Sequence, residues 1–190
     1  MTLFKLTTGA VLASMIAVTA LAHGGATGIV KERMDGMSAM KDAMKTLTPM
    51  MQGKAPYDAA TVRRAAKTIG RHAGDSMTRL FPEGSDGKPS EAKPEIWQDW
   101  DAFTELAEQL QTYAEGLALA ADNGLMMAGA KRGSGMMGGS GMMGGASMMG
   151  GGAMMGGTPG RAELSEMPAD GVFMMLGQTC SACHTRFRSE

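Results

Sequence analysis

The chain has 190 residues, enough for one domain of ordinary size with a remainder. Its 18 Lys and Arg nearly balance its 19 Asp and Glu, so we expect neither a nucleic-acid partner nor a polybasic membrane surface. Its two cysteines exclude the multi-disulfide framework of a small secreted protein, and no apolar run reaches the roughly 18 residues that span a bilayer. Gly and Met are in excess, at 28 and 22 residues, which indicates a segment of biased composition.

Residues 1–22 have the anatomy of a secretory signal peptide. Lys5 gives a positive start, an apolar stretch follows over 11–21, and small residues near position 22 suit cleavage. The alternative of a membrane anchor fails because about 11 apolar residues are too few to cross a hydrocarbon core. We therefore expect a mature chain of 23–190, without a transmembrane anchor, in the periplasm.

Four stretches have apolar residues spaced alternately three and four apart, the pattern of an amphipathic helix. Their predicted bounds are 30–52, 58–81, 94–123 and 168–188, with Asp58 as an N-cap of the second. No segment alternates with period two, so no sheet is expected. The sequence predicts an all-α fold, an antiparallel four-helix bundle formed by one domain.

The periodicity also predicts which side chains face the core. For the first helix these are Val30, Met34, Met37, Met40, Met44, Leu47 and Met51. For the third they are Ile96, Trp100, Phe103, Ala107, Leu110, Ala114, Leu117 and Ala121. In the fourth, Phe173, Leu176, Cys180, Cys183, His184 and Phe187 are expected to share one side.

The segment 124–160 separates the third and fourth helices and has an unusual composition. It holds 15 of the 28 glycines and 10 of the 22 methionines, with Met-Met pairs at 136, 142, 148 and 154. So much glycine cannot offset its backbone entropy by burial, so the sequence predicts a flexible insertion in the domain. Thioether sulfur suits Cu(I), so the Met pairs are a candidate copper site. The alternative is a spacer whose methionines are incidental or sacrificial towards oxidants.

Cys180, Cys183 and His184 form a Cys-x-x-Cys-His motif, the signature of covalent haem attachment. The two thiols add to the haem vinyl groups, and the imidazole binds the iron from the proximal side. On a helix the three side chains project from one face towards a single planar group. A redox dithiol would require a βαβ context, and a zinc site would need four ligands, for which only His23 and His72 remain as nitrogen donors. We predict one covalent haem c.

A haem motif near the C-terminus of a four-helix chain resembles the cytochrome c-prime superfamily, the class II c-type cytochromes. The resemblance is carried by Arg33 with Met37 four residues later, by LFPEGSD at 80–86, by KPEIWQDWDAF at 93–103 and by CSACHTRFR at 180–188. It extends from about residue 30 to 188 apart from the Gly/Met segment. The resemblance implies a four-helix bundle around the haem and, in many members, a homodimer through the first two helices.

The resemblance also implies roles for Met37 and Arg33. The residue four after the helix-one Arg lies over the distal face of the haem, and a Met there is the sixth iron ligand of the low-spin members. Met37 occupies this position, with Met40 and Met34 as rival ligands and a plain core residue as the alternative interpretation. Arg33 would contact a haem propionate, or else be an ordinary solvated arginine.

A Met/His-ligated haem has no open coordination position, so we expect an electron-transfer protein without enzyme activity of its own. Its partners would be redox proteins outside the cytoplasm. The alternative function is a five-coordinate, high-spin haem that binds nitric oxide or carbon monoxide, which requires that Met37 does not bind the iron.

Overall fold

The computed structural model of the chain describes residues 25–126 and 158–189. The predicted signal peptide and most of the Gly/Met segment lie outside the described residues. The described helices are α1 Gly28–Met51, α2 Ala59–Arg71, α3 Asp75–Thr78, α4 Glu95–Gln98, α5 Trp100–Ala120, α6 Arg161–Glu166 and α7 Ala169–Phe187. In these two ranges the β-type pairing is limited to one isolated antiparallel bridge between Ala92 and Arg188.

Four long helices, α1, α2, α5 and α7, form the bundle that the sequence predicts. α5 packs against both α2 and α7, and α1 packs against α2. The shared core is apolar, and its largest fully buried side chains are Phe103, Leu47, Ile69, Ile96, Leu117, Leu164, Leu176, Val62 and Val172. The all-α four-helix fold is therefore confirmed.

The buried face of α1 is turned about the helix axis from the predicted face and overlaps it only in part. The buried residues are Arg33, Gly36, Met40, Ala43, Leu47 and Met51. Met34, expected in the core, is 44% exposed, and Met37 and Met44 are half-buried at the edge of the core. The small residue Gly36 lets His72 approach α1 closely, because a Cβ there would lie 3.2 Å from Nδ1 of His72. α1 thus approaches α2 through small residues, and its long methionines pack along the sides.

Two predicted helices are interrupted by specific turns. The second ends at Arg71, and Gly74 then adopts a φ of +57° and donates its N–H to the carbonyl of Ala107 over 2.9 Å. The third is broken at Asp99, whose carboxylate accepts a hydrogen bond from the backbone N–H of Ala102 and caps α5. The predicted cap at Asp58 is present, 2.9 Å from the N–H of Thr61.

One short helix, α6, was not predicted from the periodicity. Its Leu164 is fully buried and packs against Gly116 of α5, where a Cβ would lie 2.6 Å from the leucine side chain. α6 leads directly into α7, which begins at the predicted position. Among the helices of the described ranges, none has the length and apolar character that a bilayer crossing needs.

Candidate functional site

The predicted haem motif occupies the last two turns of α7. Cys180 and Cys183 are free, half-buried thiols that pack against the core, whereas His184 is on the exposed side of the same turn. The helix is fixed above and below the motif by the buried side chains of Leu176 and Phe187. The structure therefore places the two thiols against the core and the imidazole on the neighbouring, exposed side of the same turn, rather than all three on one buried face.

The environment of the two thiols favours haem attachment over a redox dithiol. Burial raises the pKa of Cys180, and burial followed by the neighbouring Cys180 raises the pKa of Cys183 to about 11. A redox dithiol needs a lowered thiol pKa, so this environment disfavours one. Across the described ranges no cluster of three His, Cys, Asp or Glu side chains could hold a metal ion. Two thiols beside an imidazole fit haem c.

The surroundings of His184 lower the pKa of its imidazole. Partial burial lowers its pKa, the Arg188 charge lowers it further, and Glu91 opposes both effects. A neutral imidazole has the free nitrogen lone pair that a metal ligand needs.

The end of α7 is attached to the segment before α4, which we call the 91–93 segment. Lys93 donates its backbone N–H to the carbonyl of Phe187 over 2.9 Å, and Ser189 donates to the carbonyl of Glu91 over 2.8 Å. Arg188 also pairs with Glu91, 2.6 Å away, and Arg186 pairs with Asp99. These contacts fix the turn that carries His184.

Arg33 is a buried side chain with a hydrogen-bond network that the sequence did not predict. Its terminal nitrogens donate to the carbonyl of Leu80 over 3.3 Å, to the hydroxyl of Ser85 over 3.0 Å, to the Ser85 carbonyl and to the hydroxyl of Ser90 over 2.6 Å. The guanidinium also lies over the ring of Phe81, 4.7 Å from its centroid. Arg33 therefore ties α1 to the loop 80–90, and the solvated-arginine interpretation is wrong.

The four acceptors of Arg33 are all neutral. Burial lowers the pKa of the guanidinium, and the negative charge of Asp86 works against this effect. Within the described part of the chain, the four hydrogen bonds of Arg33 use its two terminal nitrogens. The propionate contact of Arg33 stays a prediction. The serines of the loop were the missed residues, and the turn-forming composition of 83–90 was the only sequence signal for them.

Met37 lies one helical turn after Arg33, half-buried against the same core as Cys180 and Cys183. α1 and α7 contact each other, so the two candidate iron ligands are on neighbouring helices. The rival ligands have different environments, since Met34 is exposed and Met40 is buried within the core.

Comparisons with known proteins identify relatives of one family. The family model Cytochrome C' matches residues 28–140, a range that ends before the haem motif. A cytochrome c-556 of Agrobacterium tumefaciens is 35% identical over 46% of this chain and 70% of its own length. A cytochrome c' of Alcaligenes xylosoxydans xylosoxydans is 30% identical over 50% of this chain and 72% of its own length.

Solved structures share the fold. Cytochrome c' of Thermochromatium tepidum superposes with a TM-score of 0.56 at 22% identity, over 85% of this chain and 95% of its own. Cytochrome c' of Rhodopseudomonas palustris superposes with a TM-score of 0.57 at 20% identity, over 87% of this chain and 98% of its own. A nitric oxide complex of a cytochrome c' variant from Alcaligenes xylosoxidans superposes with a TM-score of 0.55 at 23% identity, over 85% of this chain and 94% of its own.

Proposed function

The chain belongs to the cytochrome c' family, and we propose that it is an exported, periplasmic electron-transfer protein with a low-spin, Met/His-ligated haem. Family membership implies covalently bound haem c. In this proposal Cys180 and Cys183 form the two thioethers, His184 is the proximal iron ligand and Met37 the distal one. When bound, the haem supplies a one-electron couple between ferric and ferrous iron.

The observation that carries the proposal is the placement of Met37 on α1. The hydrogen bonds of Arg33 to the loop 80–90 fix the rotation of α1 about its axis. With that rotation, Met37 lies at the edge of the core rather than in its centre or in solvent. A thioether at the edge of a core can be presented to a cofactor without being removed from its packing.

The surroundings of the motif support a role in electron transfer. Several contacts hold the turn of His184, so the imidazole would keep its position in both oxidation states. Little rearrangement between states favours rapid electron exchange. We therefore propose no catalytic activity, and redox proteins outside the cytoplasm as the partners. A homodimer and copper binding by the Met pairs stay predictions.

A five-coordinate haem that binds nitric oxide or carbon monoxide is the second candidate function. It is favoured by the fold shared with a cytochrome c' variant that was solved as its nitric oxide complex. Another neighbour of the same fold is a carbon monoxide complex. The two candidates differ only in whether the Met37 sulfur binds the iron.

A visible spectrum of the purified protein, together with one substitution, tests the proposal. Low-spin bands are expected in both oxidation states, and Met37→Ala should convert the iron to high-spin and allow carbon monoxide binding. Met44→Ala is the matched control, because Met44 is half-buried on the same helix two turns later, and it should leave the spectrum unchanged. A wild type that is already high-spin would make gas binding the better assignment, and a low-spin Met37→Ala protein would exclude Met37 as the ligand.

A further inference from the structure

The charged side chains of α2 and α5 are segregated by sign. α2 carries four cationic and no acidic side chains, whereas α5 carries four acidic and no cationic ones. One residue of each helix is paired, Arg63 with Asp122 over 2.5 Å and Glu115 with Arg161 over 2.7 Å. Among the described residues, the other three charged side chains of each helix belong to no ion pair.

These remaining charges form two stripes on the outer faces of the helices. The cationic stripe of α2 consists of Arg64, Lys67 and Arg71. The acidic stripe of α5 consists of Asp101, Glu105 and Glu108. All six side chains are exposed, and their spacings of three and four residues place each set on one face of its helix. Like charges at this spacing destabilise a helix, so the stability of the fold does not explain the arrangement.

The two stripes lie at opposite ends of the layer that α2 and α5 form. Arg63 lies beside Asp122, and Gly70 faces Ala114, so the two helices run antiparallel. Lys67 is therefore level with about residue 118 of α5, roughly 20 Å along the helix axis from Glu105. Because salt screens exposed charges over about 10 Å, the two stripes of one molecule do not neutralise each other.

The spacings of the two stripes match when the helices that carry them are antiparallel. Counted backwards along α2, the cations are four and three residues apart, and counted forwards along α5, the acids are also four and three residues apart. An antiparallel contact between α2 of one molecule and α5 of another therefore brings together three opposite pairs, Arg71 with Asp101, Lys67 with Glu105 and Arg64 with Glu108. A partner with charge of one sign would engage one stripe, whereas a second copy of this chain uses both.

We propose that the cationic stripe of one molecule is the docking site for the acidic stripe of a second copy of this chain. Because the stripes lie at opposite ends of the layer, the contact is head to tail, and each copy of a pair keeps one stripe open for a further neighbour. The contact is charged rather than apolar, so the association is weak and depends on salt. It differs from the homodimer that the resemblance implies, because it uses α5 and does not involve α1.

The first test measures self-association of the holoprotein by sedimentation velocity over a concentration series. At about 0.02 M ionic strength the average mass should rise above that of the monomer, and at about 0.5 M it should return to the monomer. Lys67→Glu and Glu105→Lys reverse the central charge of each stripe, and each should weaken the association about tenfold. The matched controls are Lys45→Glu on α1 and Glu166→Lys on α6, which make the same charge changes at exposed sites outside the stripes. Both controls should stay within about twofold of wild type.

Mixing the two stripe variants separates a specific contact from a general effect of net charge. The mixture restores opposite charges in one stripe contact, so it should form a one-to-one complex with an affinity within about threefold of wild type. A mixture of the two control variants has the same net charges and should show no gain over either control alone.

Three outcomes would overturn the proposal. The first is a wild type that stays monomeric at low ionic strength, and the second is equal weakening by the stripe and control variants. The third uses vesicles of phosphatidylglycerol: a monomeric protein that binds them and loses this binding with Lys67→Glu would assign the cationic stripe to an anionic lipid surface. None of these measurements depends on the spin state of the haem, so failure of the docking contact is distinguishable from failure of the proposed function.

Discussion

The two helices that carry the candidate haem residues are attached to the bundle in different ways. Besides its apolar packing on α2, α1 is attached to the loop 80–90 through one buried side chain, Arg33, which donates four hydrogen bonds. The end of α7 is attached through backbone pairing with the 91–93 segment and through two exposed ion pairs, Arg186 with Asp99 and Arg188 with Glu91.

This difference determines how sensitive each side is to substitution. A part-buried acceptor that loses its donor is only partly compensated by water, so some of the cost of desolvation remains. An exposed ion pair exchanges its partner for water and contributes little. The polar attachment of the distal side to the loop 80–90 therefore depends on one side chain, whereas that of the proximal side depends on several contacts, of which the backbone ones survive any side-chain change.

The largest expected effect is chemical and lies on α7. Replacing Cys180 and Cys183 together with Ser should abolish covalent haem attachment, because a hydroxyl does not form the thioether. After extraction in acid-acetone, haem should remain with the wild-type polypeptide and be lost from the double variant. Haem that is freely extracted from the wild type would contradict covalent attachment at this motif.

The second-largest expected effect is a loss of stability caused by a substitution in α1. Arg33→Met should lower the free energy of unfolding by about 1–3 kcal/mol, since it removes the donors from four part-buried acceptors, the carbonyls of Leu80 and Ser85 and two serine hydroxyls. Urea unfolding of the holoprotein, followed by circular dichroism, measures this change. Arg64→Met is the matched control on the exposed side of α2, and it should stay within about 0.5 kcal/mol of wild type. A loss below about 1 kcal/mol for Arg33→Met would show that the network is dispensable.

A smaller effect should follow from shortening the Gly/Met segment, which precedes α6 and α7. The contacts of α7 with α5 and with the 91–93 segment hold the helix in place, so the covalent connection need not be long. Deleting 133–157 should leave the spectrum unchanged and add up to about 1 kcal/mol of stability, because a shorter connection costs less entropy to close. Loss of haem incorporation would contradict the spacer interpretation.

Equal Cu(I) binding by the full-length and deleted proteins would exclude the Met pairs as the copper site.

The features of the fold that depend on residues close together in the sequence could be predicted. Helical periodicity and the cap at Asp58 depend on residues within a few positions of each other, and both were confirmed. The break at Asp99, the packing of Leu164 on Gly116 and the exact face of α1 depend on neighbouring helices. Periodicity places a buried stripe on a helix to within about one residue, and contact with a partner decides the rest.

The same distinction applies to the candidate site. Cys180, Cys183 and His184 could be identified because the haem motif is a contiguous spacing on one helix. The role of Arg33 could not, because its partners are 47 to 57 residues away in the sequence. A resemblance supplied the residue but not its hydrogen bonds, which are specific to the loop 80–90.

The smallest expected effect concerns the two ion pairs at the end of α7, and it tests the comparison most directly. Glu91→Gln and Asp99→Asn each remove one charge, and the side chains in both pairs are 42–59% exposed. Each should therefore lower the free energy of unfolding by less than about 1 kcal/mol, and the difference from wild type should shrink further at 1 M salt.

Both substitutions keep the hydrogen bonds that hold the turn. The backbone bonds of Lys93 to Phe187 and of Ser189 to Glu91 do not involve the altered atoms. Asn at position 99 still caps α5, since its side-chain oxygen accepts as the carboxylate does. The haem spectrum should therefore be the same as in wild type. A loss comparable to that of Arg33→Met, or an altered spectrum, would show that the charges rather than the backbone position His184, and the two sides of the site would then be equally sensitive to a single side chain.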